Sequence, residues 1–167
     1  VQFIALETKG RPRDKIARAW IAQLVTAIRA HDQRHLITVG LVPWSLDRPG
    51  LNSGFTPEKV TADLDFIAMH IYPETGKNDE ALETLAGFNI GKPLVIEEIF
   101  PLRCNAEQLG EFIDQSRQHA DGWIGFYWGK TPKELENTTE FGEALTLGWL
   151  KLFQEKAPER ELQNPAP

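Results

Sequence analysis

The sequence predicts an α/β fold built around a parallel sheet. Four short apolar, β-branched runs read as buried strands, and amphipathic helical patterns lie between them. The runs keep a steady beat: they begin near positions 36, 65, 93 and 122, in steps of 29, 28 and 29 residues. Buried strands alternating with helices make βα units, whose strands pair in parallel. Eight such units closing a barrel usually need about 250 residues, and this chain has 167. Periodicity therefore leaves two architectures open, a small open α/β sheet or half of a barrel.

The chain opens on a short apolar-polar stretch, residues 1–10, that ends in the breakers Gly10 and Pro12. A helix follows, with Asp14 near its start and Ile16, Trp20, Ile21, Leu24, Val25 and Ile28 in one stripe. Residues 35–40 (HLITVG) form the first predicted strand, and residues 43–57, rich in Pro, Gly, Ser and Asn, a long loop. Residues 65–72 (DFIAMHIY) give a second strand, and residues 78–88 a short helix with Ala81, Leu82 and Leu85 on one face. The third strand is residues 93–98 (PLVIEE). Asn105 reads as the N-cap of the next helix, with Gln108 three residues on as in a capping box. Leu109, Phe112 and Ile113 would face inward. Residues 122–128 (GWIGFYW) make the fourth strand. The last helix aligns Phe141, Ala144, Leu145, Gly148, Trp149, Leu152 and Phe153 on one face. Residues 158–167 form a polar, Pro-containing tail.

Composition narrows the function. The net charge is −6 and the acidic groups are dispersed. That disfavours nucleic acid, whose phosphates need clustered Lys and Arg. No apolar run approaches the roughly 18 residues of a membrane span. The single cysteine, Cys104, excludes an intrachain disulfide and assigns no compartment. No Cys/His cluster has metal-ligand spacing, and there is neither a phosphate-cradling glycine loop nor a G-x-S-x-G elbow.

Each predicted strand runs into polar or aromatic side chains at its C-terminal end, the edge at which parallel α/β folds bind ligands. The first leads to Trp44, the second to His70 and Tyr72, the third to Glu97 and Glu98, the fourth to Tyr127 and Trp128. His70 and Tyr72, at i and i+2, share a face. Adjacent strand residues alternate, so only one of Glu97 and Glu98 is expected on that face. An indole at a rim suits stacking against a sugar ring; Trp123, at the other end of its strand, reads as structural.

At this point the residues resemble a family. Lys92-Pro93-Leu94-Val95-Ile96-Glu97-Glu98 looks like the seventh strand of clan A retaining glycoside hydrolases, specifically the cellulase- and mannanase-like family 5. His70-Ile71-Tyr72-Pro73 resembles the sixth strand of that family, Trp128 its eighth-strand tryptophan, and Arg34-His35-Leu36 the entry to its fifth strand. The resemblance covers residues 14–130.

It implies a (β/α)8 barrel, incomplete here, with residues 1–157 as its C-terminal part. It implies hydrolysis of O-glycosyl bonds in a β-linked polysaccharide or oligosaccharide, without metal or cofactor. Glu98 would be the nucleophile, held by Tyr72, with His70 completing the polar network. Trp128, Trp44 and Tyr127 would bind sugar.

Two departures stand out. Ile99 and Phe100 follow the doublet where the family often has an aromatic residue and a glycine. The Asn-Glu pair that carries the family's acid/base occurs nowhere in the sequence; Glu7 (ALETKG) reads as a loop residue. The expectation is that the acid/base lies upstream, that this chain alone lacks full chemistry, and that its open barrel edge is covered by the missing half or by another copy. The alternative is a non-catalytic half-barrel that binds carbohydrate or oligomerises. A metal-dependent sugar isomerase, with Glu98 and His70 as ligands, is a weaker alternative, because only one strand end supplies carboxylates.

Overall fold

A computed structural model describes residues 7–157. The predicted tail, residues 158–167, and most of the opening stretch lie outside the described residues. The fold is α/β. Four strands, β1 (Gly40–Leu41), β2 (Ile67–His70), β3 (Leu94–Ile99) and β4 (Gly122–Gly125), form one sheet in chain order, every pair parallel. The helices are α1 (Arg13–Arg29), α2 (Pro57–Val60), α3 (Asn78–Ala86), α4 (Ala106–Ser116), α5 (Pro132–Leu135) and α6 (Phe141–Lys156).

Alternation along the strands sorts the two faces. Ile67, Met69, Leu94, Ile96 and Ile99 are fully buried against Leu85 of α3 and Leu109, Phe112 and Ile113 of α4. A second, smaller cluster joins Ala17 and Ile21 of α1 to Val60 and Leu64. On the opposite face Ile124 and Phe126 are more than half exposed.

Side chains pin the entry of each strand. The Asp65 carboxylate accepts from the Ile37 amide (2.6 Å) and pairs with Arg29 (2.6 Å). Lys92 donates to the carbonyls of Thr61 and Leu64 at 2.7 and 2.5 Å, tying β3 to the end of α2. Asp121 accepts from the Leu94 amide at 2.9 Å. These ties hold the N-terminal edge and leave the C-terminal edge to the polar residues.

Several expectations are corrected. The first strand is two residues, not six: before it the Asp65 amide still reaches the Ile37 carbonyl, but the Asp65 side chain takes the Ile37 amide and Thr38 Oγ1 donates to the Phe66 carbonyl. The fourth strand stops at Gly125. The Phe126 amide still reaches Ile99, but the Tyr127 amide turns back to Gly125, so Tyr127 and Trp128 leave the sheet. The stripe on α1 divides: Ile21 and Val25 pack, with Ala17 beside them, while Leu24 and Ile28 are exposed and Trp20, half exposed, meets Phe55 edge-on. On α6, Trp149 and Phe153 pack on Phe100, yet Phe141 is 83% exposed. Asn105 does cap α4, accepting from the Gln108 amide at 2.8 Å. The return half of that box is unmade, since Gln108 Oε1 is buried without a partner. The helix α5 is an addition to the predicted elements, and Thr131 and Glu134 supply it with a complete capping box.

Candidate functional site

The polar residues at the ends of β2 and β3 meet. His70 Nε2 lies 2.8 Å from Glu97 Oε1, and His70 Nδ1 lies 3.2 Å from Glu98 Oε2. The Tyr72 hydroxyl donates to Glu98 Oε1 at 2.5 Å. All four side chains are partly buried.

Strict alternation would send Glu97 and Glu98 to opposite faces. A register shift prevents that: Met69 pairs with Ile96, but the next residue, His70, pairs with Glu98. Glu97 is thus the extra residue of a β-bulge, which re-aims the side chains beside it. The same irregularity recurs against β4, between Ile96 and Ile99. Both carboxylates consequently reach one imidazole, and the expectation of a single inward carboxylate is overturned.

Space for this arrangement comes from β1. A methyl group at Gly40 would sit 2.7 Å from His70 Nε2 and closer still to Glu97 Oε1. Any larger residue there would collide with the pair. Gly40 is the site residue that sequence reasoning missed; Glu97 stood beside Glu98 at the end of the third strand, but without the role its contact with His70 gives it. A glycine closing a strand was visible; what it would approach was not.

Burial raises the Tyr72 phenol above its ordinary range, and its hydrogen bond to Glu98 and the charge of Glu98 add to this. Tyr72 is therefore a donor, not a phenolate, at neutral pH.

A groove of about 650 Å³ opens beside these residues. His70, Tyr72 and Glu98 line it, with Trp44, Arg48, Glu74 and Arg103 farther along; Glu97 does not. Trp44 is 60% exposed, on the turn that follows β1. Glu74 is held by Lys77 (3.0 Å) and Arg103 (2.5 Å), which together lower its pKa.

The other sequence candidates are not in this groove. Tyr127 stacks on Phe100, ring centroids 6.0 Å apart, and donates to the Lys130 carbonyl at 3.0 Å. Trp128 is fully exposed beyond the end of β4. Trp123 donates its indole N–H to Ser116 on α4, on the helix side of the sheet. Glu7 accepts from the Lys9 amide in a local turn.

Each carboxylate meets a different nitrogen of the ring, so their oxygens do not converge on a common point. Among the described residues no group of three His, Cys, Asp or Glu is arranged to hold a metal ion. Nor is any described helix long and apolar enough to cross a membrane. Compared with protein-family models, curated proteins and solved structures, the chain matches none.

Proposed function

We propose that this chain carries the nucleophile half of a retaining glycoside hydrolase acting on β-linked glycan, with Glu98 as the attacking carboxylate. The observation that supports this best is the environment of Glu98. It borders a groove, takes a hydrogen bond from Tyr72 on one oxygen, and has His70 beside the other. Those contacts leave Glu98 a fixed direction, as a nucleophile aimed at an anomeric carbon requires. Trp44 offers an aromatic face along the same groove.

In the retaining reaction a carboxylate attacks the anomeric carbon and the glycosidic bond to the leaving oxygen breaks. A second carboxyl, about 5–5.5 Å away, protonates that oxygen and then takes a proton from the water that releases the sugar. Glu97 is not that acid, since His70 stands between it and Glu98 and it does not line the groove. The reading places the acid outside the four βα units described.

The same reading takes these units as half of a (β/α)8 barrel. In support, apolar side chains are exposed, fully or in part, on both flanks: Trp20, Leu24 and Ile28 on α1, Ile124 and Phe126 on and after β4, Phe141 and Leu145 on α6. Further barrel strands and helices, or a second copy of the chain, would cover such a surface.

The test uses 2,4-dinitrophenyl 2-deoxy-2-fluoro-β-glycosides of several sugars. Their leaving group departs without protonation, so the nucleophile is trapped whether or not the acid is present. Mass spectrometry of the digested protein should find the label on Glu98. A label on another residue, or none across the panel, would overturn the assignment. Glycan binding without labelling would make the site a non-catalytic carbohydrate-binding one.

A further inference from the structure

We propose that Glu97 is a positioning residue: it orients the His70 imidazole so that Nδ1 faces Glu98, and Gly40 is required for it to do so. The role of Glu98 rests on the reading above; the Glu97–His70 coupling rests on geometry alone.

The geometry has three parts. The bulge at Glu97 brings its carboxylate to the same side as Glu98. The shorter of the two imidazole contacts, 2.8 Å against 3.2 Å, is the one to Glu97. Gly40, on the neighbouring strand, leaves the room in which Glu97 Oε1 and His70 Nε2 meet, since a methyl group there would collide with both. A carboxylate at Nε2 draws a hydrogen to that nitrogen and fixes the plane of the ring. Nδ1 is then directed at Glu98 Oε2, while Tyr72 holds Oε1. Glu98 is thereby held through one oxygen by Tyr72, and the ring that Glu97 sets from outside the groove stands 3.2 Å from the other, to which it donates only when Nδ1 carries a hydrogen as well. A glutamate merely solvated at a strand end would need neither the bulge nor a glycine opposite it.

The experiment reads His70 directly. In protein labelled with ¹⁵N at histidine, long-range ¹H–¹⁵N correlations report which ring nitrogen carries hydrogen. The four histidines are His31, His35, His70 and His119, and His70→Gln identifies the signal. The native protein should show a slowly exchanging hydrogen on Nε2. Glu97→Ala and, independently, Gly40→Ala should both replace that pattern with the averaged one of a solvated imidazole. Glu97→Gln keeps a carbonyl acceptor and should restore the Nε2 hydrogen. An unchanged His70 pattern in Glu97→Ala, or in a folded Gly40→Ala, would overturn the proposal.

A second arm follows trapping by the fluoroglycosides. Glu97→Ala should slow it by about 10²-fold, with the reagent concentration at half-maximal rate little changed, because a misaimed carboxylate loses reactivity more than binding. Glu97→Gln should recover most of that rate. If native protein is not trapped but the His70 spectra behave as stated, the nucleophile reading fails and the positioning role stands. If trapping occurs and the spectra do not change, the reverse holds.

Discussion

Tyr72 donates its phenolic hydrogen to Glu98 across two neighbouring strands, the two oxygens 2.5 Å apart. This bond joins the end of β2 to the end of β3 at the mouth of the groove. It also raises the Tyr72 pKa, behind the larger effect of burial.

Alkaline stability should depend on this residue. A raised folded-state pKa means that the native state keeps its proton longer than the unfolded chain does. The contribution is fully present below the ordinary phenol pKa of about 10 and is lost as pH climbs above it. Denaturant midpoints measured from pH 8 to 11 should fall more steeply for the native protein than for Tyr72→Phe. Parallel slopes would refute the coupling.

Glu98→Gln should abolish trapping, a loss on the order of 10³-fold or more if Glu98 is the nucleophile. Its circular dichroism and melting should stay native-like, since the amide still accepts from Tyr72. Undiminished trapping would move the chemistry to another residue.

Trp44→Ala should weaken binding of a β-linked oligosaccharide by several-fold to about tenfold, given the ~0.5–1.5 kcal/mol typical of an aromatic contact. Trp44 lines the groove and is 60% exposed, so its loss opens no cavity in the core. Titration calorimetry compares it with Trp128→Ala, a residue that does not line that groove. Equal affinities for native protein and Trp44→Ala would remove Trp44 from the ligand site.

Lys92→Met should destabilise the fold by about 1–3 kcal/mol, because the carbonyls of Thr61 and Leu64 lose their shared donor. Phe112→Ala should cost more, about 3–5 kcal/mol, since Phe112 is fully buried between sheet and helices. Urea unfolding gives both values, and the order of the two is the check.

The sequence by itself determined the sheet. Apolar runs spaced by 28–29 residues made parallel βα units the economical reading, and the structure has four strands in chain order with every pair parallel. It also determined that His70 and Tyr72 share a face, because period-two alternation is a property of the local backbone; both reach Glu98. Tertiary structure alone decided what Glu97 does. A bulge is a mismatch between two strands, and the text of one strand does not record how its neighbour is registered. The same holds for Gly40, whose missing side chain matters only because Glu97 and His70 occupy the space. It holds again for Tyr127 and Trp128, which the alternation of β4 would carry to the rim. The chain leaves the ladder after Phe126, so Tyr127 lies on Phe100 and Trp128 stands in solvent. Local pattern sets which way a residue points while a strand persists; partners from elsewhere in the chain set where the strand slips and where it ends.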